Sequence, residues 1–141
     1  MANIIPFAFR GELFSGTHDF SNGGNSFKIA LYTGNPYSTS STAYLTSQEV
    51  SASNTGYTTG GKVLAGQAVA SGTAVASVDF TDSSITSATF TAAFAAIYND
   101  TNADKLCVVL DFGGNKTATN GTFTIAFPNP STPANAIISM A

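Results

Sequence analysis

Alternation of apolar and polar residues, not helical spacing, organises this chain. In "FKIALYT", Phe27, Ile29 and Leu31 fall on one face and Lys28, Ala30 and Tyr32 on the other, the period of a half-buried strand. Segments 73–80 (TAVASVDF), 84–92 (SITSATFTA), 93–99 (AFAAIYN), 105–112 (KLCVVLDF), 121–127 (GTFTIAF) and 136–140 (AIISM) follow the same logic and are rich in β-branched and aromatic residues. Between them lie "SNGGN", "TGNP", "TGYTTGG", "NDTNAD", "GGN", "TNG" and "PNPSTP", which supply the positive or fixed φ a reversing chain needs.

Two hairpins are expected. One joins 93–99 to 105–112 across "DTNA"; the other joins 105–112 to 121–127 across "GGNKTATNG". Seven to nine strands at this spacing predict an all-β fold, a single antiparallel β-sandwich or jelly-roll-like domain. Helical spacing occurs only in residues 7–15, where Phe7, Arg10 and Phe14 share a face and Gly11 weakens the pattern. Residues 1–20 are therefore expected to form an extended or short-helical N-terminal arm on a domain spanning 21–141. The stretch 34–62 is long, polar and poor in large apolar residues, and it predicts a loop excursion tied to a function or a partner.

Composition narrows the function classes. Charged residues make up 9% of the chain, against about 25% in an ordinary domain. A net charge of −3 with five scattered basic residues builds no positive stripe for phosphates, which argues against nucleic acid and membrane surfaces as partners. A weakly charged exterior suits packing against other protein, since few ions need desolvating there. Cys107 is the sole cysteine, inside an apolar run, and predicts a buried small side chain. The opening "MANIIPFAF" lacks a basic n-region and carries Pro6, so neither a signal peptide nor a membrane span is expected, and synthesis in a cytoplasm is.

Candidate chemistry is sparse. His18 is the one histidine, and a triad around it would need an orienting acid. Asp19 is adjacent and would point away along a strand, while Glu12 would reach it only if the chain turned back between them, which the sequence does not establish. Asp100, Asn102 and Asp104 match positions one, three and five of a calcium loop, with Asp111 further on, but Lys105 stands at position six, where such a loop needs glycine. A hairpin turn explains these residues better. Asp79 and Asp82 as paired carboxylates lack a neighbour to tune them. Tyr32, Tyr37, Tyr44, Tyr57 and Tyr98 are the material for a sugar-stacking surface, in a chain without tryptophan. "GYTTGGKV" lacks phosphate-loop spacing, and the sequons at Asn99, Asn115 and Asn120 have no secretory context. No catalytic residue, cofactor or metal is expected.

"GELFSGTHDFSNGGNSFKIALYTG", "EVSASNTGYTTGGKVL", "AAIYNDTNADKLCVVLDFGGNKTATNGTFTIAFP" and "AIISMA" together resemble a family of small virion proteins of tailed bacteriophages and prophages. The resemblance rests on packing and turn motifs. It implies a virion structural protein. Capsid decoration or cement proteins, the leading reading, are small β-rich domains that trimerise and bridge capsomers through an N-terminal arm. On that reading the partners are the major capsid protein and copies of the chain itself, as a trimer, and the location is the capsid surface of the virion. Ile4, Ile5, Phe7, Phe9, Arg10, Glu12, Phe14 and His18 are the expected contact residues. A tail, baseplate or fibre-base component and a carbohydrate-binding adsorption module are the alternatives.

Overall fold

The computed structural model describes residues 3–128 and 136–140. It is an all-β, sandwich-like domain of two antiparallel sheets with one short helix. Helix α1 (Phe7–Phe14) leads into β1 (Phe27–Tyr32), β2 (Lys62–Val63), β3 (Ala68–Ser71), β4 (Ala76–Asp79), β5 (Ser83–Asn99), β6 (Lys105–Ile125) and β7 (Ile138–Met140). The larger sheet has the order β2-β1-β5-β6 and the smaller one β3-β4-β7.

The first expected hairpin forms: β5 turns into β6 through residues 100–104, with Asn99 opposite Lys105. The second does not. Residues 84–92 and 93–99 are one strand, and residues 105–112 and 121–127 largely belong to a single strand paired to it along its length. The glycines read as a hairpin loop serve bulges instead. Phe94 pairs with Asp111 but Ala92 with Lys116, so the extra residues around Gly113 (φ 74°) and Gly114 (φ 136°) are absorbed without reversing the chain. Positive-φ chemistry marks a hairpin loop and a strand bulge alike, which is why the pattern misleads here.

β1 was expected to be half-buried, yet both of its faces are covered. One face carries Phe27, Ile29 and Leu31 into the main core with Ile97, Val108 and Leu110; the other carries Ala30 and Tyr32 into a second cluster with Tyr98, Leu106 and Val109. The 34–62 excursion covers that second face with Tyr37 and Tyr44 and sends Val50 and Tyr57 into the main core. It is pinned by a bridge of Tyr32 to Glu49, by Val50 N donating to Leu31 O, and by bonds of residues 42–44 to the β5–β6 turn.

The main core is aromatic. Phe20 stacks on Phe27 with centroids 4.3 Å apart, and Phe9 and Phe80 meet Phe20 edge-on. Phe9 is 1% exposed, so the N-terminal segment closes this core from its own chain. Ile4 exchanges backbone hydrogen bonds with Val109 at the outer edge of β6.

Candidate functional site

The rare charges of the N-terminal segment converge. α1 ends in a Schellman turn: Gly16 takes φ 72°, its N–H donates to Leu13 O, and Thr17 N donates to Glu12 O. This reversal swings His18 back beside Glu12, and the two side chains meet at 2.8 Å through His18 Nε2 and Glu12 Oε2. Lys105 Nζ reaches the other carboxylate oxygen at 2.7 Å. Partial burial raises the Glu12 pKa, but hydrogen bonds from Lys105 and then His18 outweigh it and hold the carboxyl below its ordinary 4.5.

Behind the imidazole stands Asn99, which is fully buried at the end of β5. Its Oδ1 accepts from the N–H groups of Thr101 and Asn102, both at 3.1 Å. The amide is thereby oriented, and Nδ2 donates to His18 Nδ1 at 3.0 Å and to Asn25 Oδ1 at 3.0 Å. With Nδ1 accepting, the imidazole proton sits on Nε2 and points at Glu12. Asn102 Nδ2 donates to Thr17 O and to Asn25 Oδ1, tying the β5–β6 turn to the segment that follows α1.

Cys107 adds a thiol to this group, its Sγ lying 3.7 Å from His18 Nδ1. It is the extra residue of a bulge, since Ile97 pairs with Val108 and Tyr98 with Leu106. Thiol, imidazole and carboxylate thus follow one another in the order of a nucleophile, base and orienter. The chemistry of such a set is blocked here by access. Neither Cys107 nor the His18 side chain has exposed surface. Burial, and then the Glu12 charge, push the Cys107 thiol well above its ordinary range, and the Nδ1 lone pair is already taken by Asn99. In this conformation the set is a structural knot.

The tyrosines are likewise turned inward. Glu49 accepts from Tyr44 Oη at 2.5 Å, from Tyr57 Oη at 2.6 Å and from Gly60 N at 2.7 Å. Tyr57 Oη also accepts from Leu31 N at 3.0 Å. Tyr37 donates to Tyr32, which donates to Leu45 O at 2.7 Å, and Tyr98 stacks on Tyr44 and donates to Gly60 O. All five hydroxyls are engaged within the chain: those of Tyr32, Tyr37 and Tyr57 fasten the excursion to β1, that of Tyr98 fastens it to β5, and that of Tyr44 bonds inside it.

The calcium-like turn is spent in the same way. Asp100 pairs with Lys28 at 2.9 Å, and Asn102 belongs to the knot. Among the described residues no group of three or more His, Cys, Asp or Glu side chains could hold a metal ion. Asp82 caps Phe127 N at 2.8 Å, at the end of the core.

The eight expected contact residues divide. Phe9, Glu12 and His18 are engaged inside the chain, and Ile4 and Ile5 are partly covered, because the Schellman turn and the Val109 bridge fold the segment onto its own sheets. Phe7, Arg10 and Phe14 face outward, Phe14 being 87% exposed and Phe7 60%. Met140 and Val69 of the smaller sheet are also half-exposed. Between α1 and β7 lies a groove of about 290 Å³, adjoined by one of about 200 Å³ that reaches β4; Leu13, Ile138 and Met140 line both. Sequence reasoning did not single out Asn25, Glu49 or the role of Asn99. The signal for Asn99 was there: it shares the phase of Ala95 and Ile97, a polar side chain at a core position of a strand.

Comparison with family profiles, with curated proteins and with solved structures finds no significant match to this chain.

Proposed function

We propose that this chain is a non-enzymatic structural protein of a tailed-bacteriophage particle, a decoration or cement protein that docks on the capsid exterior as an oligomer. The observation that carries the docking role is the outward apolar set Phe14, Val69 and Met140 around the grooves between α1 and the smaller sheet, with Phe7 exposed at the start of α1. Large apolar side chains gathered at one place on a weakly charged exterior mark a surface that another protein covers. The capsid assignment rests on the sequence resemblance. A sealed thiol–imidazole–carboxylate set fits a chain whose polar side chains fix shape.

Docking would use the α1–β7 face of the folded domain, not a detachable arm, since Phe9 and His18 are part of the core. A carbohydrate-binding role is disfavoured by the tyrosines, whose hydroxyls are engaged within the chain. Quantitative mass spectrometry of purified particles carrying the protein is the test. Hundreds of copies per particle are expected, together with loss of particle association in Phe14→Asp. A mere handful of copies would place the chain in a tail ring, and absence from particles would end the virion reading.

A further inference from the structure

The strand β7 is the last of the order β3-β4-β7, and among the described residues no strand pairs with its outer edge. β7 and α1 also form the two sides of the groove of about 290 Å³, lined by Ile5, Phe9, Leu13, Phe14 and Met140, with Arg10 beside them. We infer that this groove takes an extended segment of another protein as a fourth strand beside β7, its apolar side chains seated under α1 and a carboxylate against Arg10. The inference rests on the docking role proposed above and names the chemistry of the partner.

Three observations identify the occupant. An open strand edge presents backbone N–H and C=O groups at alternate positions, which only another backbone satisfies in series. Second, an extended segment turns every second side chain to one side, matching a groove that is apolar along its helical wall.

Third, Arg10 lies over the Phe7 ring, 5.3 Å from its centroid, with one long bond of 3.4 Å to Ile5 O and no carboxylate among the described residues. A guanidinium held in place by an aromatic face is suited to a planar carboxylate. A second copy of this chain is a poor source for the segment. Its β1, β4 and β5 are paired on both sides, β2, β3 and β7 carry no acid, and residues 3 and 4 are held on the β6 edge beside Asp111.

The test uses the full chain, labelled with nitrogen-15, and a fluorescein-tagged octapeptide that alternates valine and threonine and ends in a free carboxylate. Its C-terminal amide and a version with a central proline are the comparison arms. Binding is expected to move the amide signals of Ser139 and Met140. The amide peptide should bind about tenfold more weakly, as expected for one lost charge-assisted pair, and the proline peptide should not bind. Arg10→Gln should equalise acid and amide, and Phe14→Asp, altering an exposed side chain, should weaken all binding. No shift in β7 at millimolar peptide, or binding unchanged in Phe14→Asp, overturns the inference. So does concentration-dependent dimerisation through these residues in sedimentation, which would give the groove to a second copy. Peptide binding without particle association would instead sink the virion role and leave the groove standing.

Discussion

Asn99 Nδ2 donates to His18 Nδ1 at 3.0 Å, across a separation of 81 residues, and this bond decides what the histidine can do. A base needs its lone pair free. Here the pair is occupied by an amide that cannot rotate, because Thr101 N and Asn102 N hold Asn99 Oδ1. The imidazole therefore serves as a bridge from the sheet to Glu12 at the end of α1, and Lys105 closes the bridge from the other side. Two distant parts of the chain are joined by it, the N-terminal segment and the β5–β6 turn.

Asn99→Ala is expected to be among the most damaging single changes. It strands His18 Nδ1 and two turn N–H groups, and buried polar groups left unpaired cost about 1–3 kcal/mol each. A loss on the order of 3 kcal/mol follows, read as a lower urea midpoint at unchanged slope. A change smaller than about 1 kcal/mol would mean that water replaces the amide and the knot is not closed.

Glu12 gives the fold an acid sensitivity. Its pKa is held below the ordinary 4.5, so its contribution is present above that value and is lost as pH falls through the lower, folded value. Glu12→Gln should remove this dependence and flatten the acid limb of a stability–pH curve below pH 4.5. The pair with Lys105 is partly exposed, and a double-mutant cycle with Lys105→Met should give a coupling of only about 0.5 kcal/mol. An unchanged acid limb in Glu12→Gln would assign the sensitivity to other carboxylates.

The tyrosines produce the opposite dependence. Burial, followed by the facing Glu49 carboxylate, pushes Tyr44 and Tyr57 well above their ordinary 10.0; burial, followed by the bond to Tyr37, does the same for Tyr32. Groups raised in the folded state stabilise it below their unfolded value, and that contribution is lost as pH climbs past 10.0. Phenolate absorbance should appear only together with unfolding. Glu49→Ala should free residues 42–61 first, seen as fast amide exchange there while the β5–β6 hairpin stays protected.

Strand existence was legible in the sequence, because a period of two survives wherever one face of a strand meets the core: residues 122–127 alternate exposed and buried without exception. Connectivity was less so. The hairpin expected at 113–121 came from treating glycine as a sign of reversal, when Gly113 serves a bulge that keeps the strands paired. β3 was not singled out, since its AVAS is short, small and largely exposed and carries little hydrophobic signal. The knot was half legible. Glu12 and His18 stood out by rarity, and Gly16 after Phe14-Ser15 was the mark of the turn that joins them, but Asn99, Asn25 and Lys105 arrive through pairings of distant strands that no local pattern contains.

Two glycines with the same backbone sign separate conformational strain from steric fit. Gly61 has φ 81° and sits against β1, where an added Cβ would lie 1.9 Å from Ile29 O and 2.8 Å from Ala30 Cα. Gly113 has φ 74° at the β6 bulge, with nothing within 4 Å of an added Cβ. Gly113→Ala should therefore cost only the left-handed penalty of about 1 kcal/mol. Gly61→Ala adds overpacking against backbone that cannot yield without parting β1 from the excursion, for a total of about 3 kcal/mol. Urea midpoints of the two variants provide the measurement. Equal losses would mean that residue 61 is free to move off β1, and that the excursion is held by its other ties, the Val50–Leu31 bond, Glu49 and the tyrosines.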